Sequence, residues 1–234
     1  MENIKNDFDI LFQKTMNKRD ALLFFLKKYF DEQGDEKVSE LGNLCQFGTI
    51  KRNTVLFLEQ QKGNAAYFLA SGRIKLIRTN SEGKEVIATF ITPGQLIAWF
   101  ALMTEGIYPV SAVALQESEY LSFDVRHLRR LVELNPPFAG HLLEYVAKRQ
   151  RFLLNSIKDL ALSEPKQRFL NYLHHLHKQC GSTTIVLPED KKQIALLLGV
   201  SPETLSRIFR RLADEGYIDV KGKNIHLLRL PTLS

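Results

Sequence analysis

Hydrophobic and polar positions fall into three textures along the 234-residue chain. Residues 1–37 mix acidic and basic positions around one apolar block, Ala21-Leu22-Leu23-Phe24-Phe25-Leu26, which reads as the buried segment of an N-terminal helical extension. From Val55 to Phe123, short β-branched and aromatic runs alternate with turn signals. Val55–Leu58 is followed by Lys62-Gly63-Asn64, Tyr67–Leu69 by Ser71-Gly72, Ile74–Arg78 by Ser81-Glu82-Gly83, and Val86–Phe90 by Pro93-Gly94. Turn signals about every ten residues predict a small antiparallel sandwich or barrel, placed over residues 38–134. Within it, Ile74 to Arg78 reads as a half-buried strand whose side chains alternate between faces.

After Asn135-Pro136-Pro137 the pattern turns helical. Leu142, Val146, Leu153, Ile157 and Leu160 recur at three- and four-residue spacings, while Leu143, Tyr145 and Phe152 lie off that stripe. A helix apolar on more than one side must be covered on more than one side. The pattern therefore predicts a helix over 135–161 that docks on the barrel with one side and meets a second copy of the chain with the other. Ser163-Glu164-Pro165 ends it, and the next helix carries Phe169, Leu170, Leu173 and Leu176 before Cys180-Gly181-Ser182. The domain boundary is placed near Leu162.

Residues 162–234 carry the sharpest local signal. Gln193–Leu198 is an apolar helical segment, and Gly199 suits a tight reversal after it. Ser201 is a favourable N-cap, and Pro202 fits the first helical position. That layout predicts a helix-turn-helix, with small Ala195 letting the helices approach and Leu205 and Ile208 closing the core between them. In the second helix Leu205, Ile208, Phe209 and Leu212 form an inward stripe, and Glu203, Ser206, Arg207 and Arg210 an outward one. An outward carboxylate, hydroxyl and guanidiniums suit base edges: Arg grips guanine, Glu accepts from cytosine, and Ser pairs with either kind of edge. After Gly216, Tyr217–Val220 and Ile225–Leu228 flank Lys221-Gly222-Lys223-Asn224, a hairpin wing with a basic tip. An ordinary amphipathic helix and hairpin with solvated charges is the plainer alternative, but turn, cap, stripe and wing agree on one layout.

Composition adds where that signal acts. The net charge is +6, and residues 1–134 hold 17 basic and 17 acidic side chains, so the excess lies entirely beyond them. Residues 135–161 carry +2 and residues 162–234 carry +4, which places a polyanion-facing surface at the C-terminal end. The longest apolar run, Leu96–Met103, is too short to span a membrane. The first seven residues are acidic where a signal peptide is basic and then apolar, so a cytoplasmic protein is expected. Two cysteines, Cys45 and Cys180, make no disulfide framework.

These residues resemble the CRP/FNR family, the cyclic-AMP receptor protein and fumarate–nitrate reduction regulators. Residues 38–230 carry the resemblance, most strongly Gln193–Leu227, where Glu203-Thr204-Leu205-Ser206-Arg207 is similar to the Glu-x-x-Ser-Arg signature of the FNR-like branch. Tyr67–Lys75 is similar to the family's strand–Gly–strand segment. The resemblance implies an α+β architecture: a cyclic-nucleotide-binding-like antiparallel β-barrel of jelly-roll type, a long dimerisation helix and a winged helix-turn-helix. It implies a homodimer on double-stranded DNA, reading an inverted repeat of TTGAT-like half-sites, with RNA polymerase as a further partner. Glu203, Ser206 and Arg207 are then the base readers. Lys191, Lys192, Thr204, Arg210, Arg211, Lys221 and Lys223 are the backbone contacts. Leu142, Val146, Leu153, Ile157 and Leu160 form the dimer stripe.

The departures narrow what is sensed. The family's cyclic-nucleotide cassette runs Gly-Glu-Leu-Gly and later Arg-Ser or Arg-Thr-Ala; here stand Gly94-Gln95-Leu96-Ile97 and Val110-Ser111-Ala112. Gln95 replaces the ribose-binding Glu and Val110 the phosphate-binding Arg, so a desolvated cyclic phosphate lacks its cation. An iron–sulfur cluster needs several N-terminal cysteines, and only Cys45 is there. Haem stays open, although no histidine precedes His127. The apolar segment Leu96–Met103 reads first as barrel core and helix packing; the alternative is a pocket for a hydrophobic effector or haem, with Gln95, Leu96, Trp99, Phe100, Val110 and Ser111 as its candidate residues. His174-His175-x-His177 reads as an exposed helix face rather than a metal site, and nothing basic is assured beside Cys45 to make it a redox switch. An enzyme of cupin type needs barrel histidines, and residues 38–126 have none. The alternatives left are a regulator whose barrel senses an unknown effector, one whose barrel serves only dimerisation or polymerase contact, and a haem-based gas sensor.

Overall fold

The computed structural model describes residues 16–30, 34–83, 85–99 and 106–229. The chain divides into two compact units, Met1–Val146 and Ala147–Ser234, and the division falls inside one long helix.

Among the described residues of the first unit, helices α1 (Lys18–Tyr29) and α2 (Asp35–Gly42) precede eight strands. These are β1 (Cys45–Ile50), β2 (Val55–Phe57), β3 (Ala65–Ser71), β4 (Ile74–Thr79), β5 (Glu85–Ile91), β6 (Leu96–Ile97), β7 (Ser111–Ala114) and β8 (Ser118–Asp124). Helix α3 (Val125–Leu134) and the start of α4 (Pro136–Leu162) follow. The strands form two four-stranded antiparallel sheets, β1-β8-β3-β6 and β2-β7-β4-β5. The expected barrel is therefore a two-sheet jelly roll rather than a closed cylinder.

Strand alternation splits the apolar side chains between two cores. Ala66, Phe68 and Ala70 of β3 join Leu121 and Phe123 of β8 against the helices, while Tyr67 and Leu69 face the cluster that holds Phe57, Ile74 and Ala112 of the second sheet. The expected alternation in Ile74–Arg78 does not hold. Ile74 through Ile77 are all buried, because β4 lies between β5 and β7 and a register shift at Leu76/Ile77 breaks its period. Buried Lys75 is accommodated by an ion pair with Glu85 at 2.9 Å.

The apolar block of residues 21–26 proves integral to this core. Asn17 caps α1 by accepting from the Asp20 N–H, and Phe25 packs 4.9 Å from Phe123 and 5.2 Å from Phe68, ring centre to ring centre. Both carboxylate oxygens of buried Glu119 accept the Met16 N–H, at 3.0 and 3.1 Å, and one also accepts the Ser71 hydroxyl at 2.6 Å. The N-terminal segment is thus fastened to the first sheet at both its entry and its apolar face.

Helix α4 shows two faces. Phe138 and Leu142 are buried in the first unit's core, and Tyr145 packs partly against it. Leu142 therefore leaves the expected dimer stripe: it shares a helix side with Phe138, four residues earlier. Its neighbour Leu143 is 70% exposed, and Val146, Leu153 and Ile157 are exposed as well. The side chain of Leu160 lies outside the described residues.

The second unit continues with α5 (Pro165–Cys180), β9 (Thr184–Val186), α6 (Lys191–Leu197), α7 (Pro202–Asp214), β10 (Ile218–Lys221) and β11 (Asn224–Leu227). Its core brings Phe169 and Leu173 against Ile194, Ala195, Leu205, Phe209 and Leu212, with Phe169 and Phe209 ring centres 4.6 Å apart. The three strands pair in the order β10-β11-β9.

Candidate nucleic-acid interface

Each half of the helix-turn-helix is set by its caps. Asp190 caps α6 by accepting from the Gln193 N–H at 2.8 Å. The chain then turns through Gly199 at φ 64°, a left-handed conformation that a Cβ disfavours, and the Val200 N–H donates back to Ala195. Ser201 accepts from the Thr204 N–H at 3.1 Å and Pro202 opens α7. Arg168 of α5 locks this turn from behind, its Nε donating to the Leu198 carbonyl at 3.0 Å and its Nη1 to the Ser163 carbonyl at 2.9 Å. The sequence pattern gives no sign of that role, since one arginine in an amphipathic helix looks like any other.

On α7 the two stripes separate as the periodicity predicts. Leu205, Ile208, Phe209 and Leu212 are buried, and Glu203, Ser206, Arg207 and Arg210 are exposed. The Ser206 hydroxyl donates to the Pro202 carbonyl at 2.9 Å, which leaves its lone pairs outward. Arg207 reaches back to the Thr204 hydroxyl at 3.3 Å, a weak tether that leaves most of the guanidinium's donors available. The Glu203 carboxyl lies below its ordinary pKa, held there by its own backbone N–H and the Ser201 hydroxyl, so it is an ionised acceptor at neutral pH.

The expected backbone contacts differ among themselves. Lys192, Arg210, Lys221 and Lys223 are exposed, while Thr204 is half-buried at its cap. Lys191 is exposed as well, and its ammonium lies over the Phe209 ring, 4.5 Å from its centre. Arg211 pairs with Glu215 at 2.8 Å, and Glu215 also meets Lys166. Lys221 pairs loosely with Asp219 at 3.6 Å. The wing tip is the two-residue turn Gly222-Lys223, with Gly222 at φ 65°. Strand β9 steadies it, because β11 pairs with β9 and the Leu187 N–H donates to the Lys223 carbonyl at 2.9 Å.

Among the described residues, those expected to line an effector pocket are divided rather than brought together. Leu96 and Trp99 belong to the core between the first sheet and the helices, whereas Val110 packs on the core between the sheets. The Gln95 side chain accepts from the N–H and hydroxyl of Thr92, at 2.8 and 3.1 Å, and Ser111 accepts the Glu59 N–H at 2.8 Å. Phe100 lies outside the described residues. Between the sheets, Phe57 stacks on Tyr108 at 4.1 Å and on Tyr67 at 5.6 Å, ring centre to ring centre. His174 and His177 stand 6.5 Å apart, ring to ring, and His177 is engaged by the Ser182 carbonyl. Cys45 is buried, and that burial pushes its thiol up to about 11.

Fold and site together define a winged helix-turn-helix DNA-binding protein with a jelly-roll domain of the ligand-sensing kind. Comparison with known proteins agrees. Residues 47–135 match the cyclic nucleotide-binding domain and residues 167–234 the Crp-like helix-turn-helix domain. The chain is 30% identical over 163 residues to the cyclic AMP receptor protein of Thermus thermophilus, covering 70% of this chain and 74% of that one. It is 26% identical over 179 residues to the CRP-like cAMP-activated global transcriptional regulator of Mycobacterium tuberculosis, covering 74% and 80%. Among solved structures, a CooA mutant from Carboxydothermus hydrogenoformans superposes with TM-score 0.76 at 17% identity, over 88% of this chain and 92% of that one. The chain belongs to the CRP/FNR family. It is a DNA-binding transcription regulator and not an enzyme. No helix among the described residues is long and apolar enough to cross a membrane.

Proposed function

We propose that the protein acts as a cytoplasmic homodimer on an inverted repeat of TTGAT-like half-sites. In this reading Glu203, Ser206 and Arg207 meet base edges, and Lys191, Lys192, Thr204, Arg210, Arg211, Lys221 and Lys223 meet the phosphates. The observation that carries it is the outward face of α7, which presents an ionised acceptor, a hydroxyl and a guanidinium side by side. The exposed Leu143, Val146, Leu153 and Ile157 supply the pairing surface, and two half-sites need two subunits. RNA polymerase is the further partner.

Control of DNA affinity is assigned to an effector other than cyclic AMP. Gln95 is turned onto Thr92, Val110 lies in apolar core, and neither offers a cation to a cyclic phosphate. The stack of Phe57, Tyr67 and Tyr108 favours a second reading, in which the jelly roll is filled by its own side chains and serves dimerisation or polymerase contact alone. Fluorescence anisotropy on a palindromic duplex, a single half-site duplex and a scrambled duplex tests the proposal. The expected order of affinity is palindrome, half-site, scrambled, with two subunits per palindrome. Millimolar cyclic AMP is expected to change neither affinity nor melting temperature. Equal binding to palindrome and scrambled duplex overturns the site reading, and a saturable cyclic-AMP effect overturns the pocket reading.

A further inference from the structure

The exposed side of α4 contains one polar residue at its centre. Gln150 is exposed, and around it on the helix surface stand Val146, Leu153 and Leu154, at four residues before and three and four after. These neighbours are 39%, 45% and 60% exposed, so Gln150 interrupts an apolar field rather than edging it. Leu143, Val146, Gln150, Leu153 and Ile157 follow the alternating three- and four-residue steps of a heptad seam, in which Gln150 takes the same class of position as Leu143 and Ile157.

We infer that Gln150 is the alignment lock of the dimer: its side-chain amide pairs with Gln150 of a second copy, and this pairing selects the parallel, in-register arrangement of the two helices. The inference rests on the dimer proposed above and names what fixes its geometry. A primary amide carries both donors and acceptors, so two identical amides facing each other satisfy one another. A slip by one heptad would place each Gln150 opposite Leu143 or Ile157, and antiparallel pairing would set it against the alternate apolar positions. In both cases a desolvated amide loses its partner, which is costly. An all-apolar seam has no such discrimination and tolerates slippage. The parallel arrangement is also the one that turns both recognition helices toward one inverted repeat.

The test uses the full-length chain with Cys180→Ser and Lys158→Cys, which puts a nitroxide on the exposed Lys158 position while the buried Cys45 stays unlabelled. Distances between the two labels of a dimer are measured by double electron–electron resonance, beside sedimentation equilibrium. The unaltered seam is expected to give one narrow distance. Gln150→Leu is expected to tighten the dimer about tenfold, as removal of a buried polar seam position does, yet to broaden the distances. New populations should appear at axial offsets of ~10 Å for a heptad slip and of ~20 or ~30 Å for antiparallel pairing that faces Gln150 with Leu153 or with Val146, from the 1.5 Å helical rise. Gln150→Asn, which keeps an amide, should retain the single narrow distance. A monomer with the unaltered seam overturns the dimer itself and the lock with it. A dimer whose Gln150→Leu variant keeps one narrow distance, or dissociates more readily, overturns the lock alone.

Discussion

Ser201 sits where folding and DNA binding can be separated by one atom. Its Oγ accepts the Thr204 N–H at 3.1 Å and lies 3.2 Å from the Thr204 hydroxyl oxygen, and it caps a helix whose first residue is Pro202. Ser201→Ala removes the acceptor and leaves the Thr204 N–H to water. Because Ser201 is exposed, water replaces part of the lost bond, and the cost falls near 1 kcal/mol, inside the range for N-cap deletions. That energy corresponds to about a fivefold rise in the opening equilibrium of α7, read as faster amide exchange within the helix. Amide exchange is the right assay because the single tryptophan, Trp99, lies in the other unit and cannot report on α7. Ser201→Asp should restore protection, since a carboxylate also caps and favours the helix N-terminus. It should nonetheless weaken DNA binding, by adding a negative charge beside a polyanion. Unchanged exchange in Ser201→Ala would show that the turn, not the cap, holds α7, and wild-type affinity in Ser201→Asp would place the N-terminus of α7 away from the DNA.

Further outcomes follow from burial. Leu143→Glu and Ile157→Glu should each give a folded monomer by sedimentation, whereas Leu142→Glu, set in a core position 5% exposed, should destabilise the N-terminal unit. Near-normal melting of Leu142→Glu would contradict the division of the helix into two faces. Titration with a thiol reagent at pH 8 should count one fast thiol, the exposed Cys180, because Cys45 is buried and stays protonated well below about 11. A second fast thiol in the native protein would contradict that burial. Glu119→Ala should free the chain at Met16 and cost about 1–3 kcal/mol, since the Met16 N–H and Ser71 hydroxyl lose a buried acceptor. Wild-type stability on urea unfolding, followed by Trp99 fluorescence, would refute this.

The sequence was most legible where chemistry repeats locally. Gly199, Ser201, Pro202 and the two stripes of α7 specify turn, cap and faces with residues close in the chain, and the structure keeps that layout. Legibility fell where burial depends on distant elements. Leu142 and Leu143 are equally apolar, and only the position of Phe138 on the same side as Leu142 decides which one the core takes. The even burial of Ile74–Ile77 depends on strands on either side of β4 and on an irregular register that no local pattern displays. Strand β9 has three residues, too few to show a period, and Arg168 acts through two carbonyls contributed by other segments. The pocket expectation joins two motifs through the family resemblance, but β6 turns Leu96 into the core under the helices, while Val110, in the bend before β7, packs on the core between the sheets.

The most direct test of base reading by α7 compares Arg207→Ala with Lys223→Ala on operator and scrambled duplexes at two salt concentrations. Arg207 is exposed on the outward face of the recognition helix, and Lys223 is exposed in the wing turn. Arg207→Ala is expected to cost about 1–3 kcal/mol on the operator and little on scrambled DNA, relaxing preference at one position of each half-site. Lys223→Ala is expected to weaken both duplexes alike and to reduce the salt dependence by about one phosphate per subunit. Equal losses on both duplexes for Arg207→Ala would make Arg207 a phosphate contact and remove the reading face from α7.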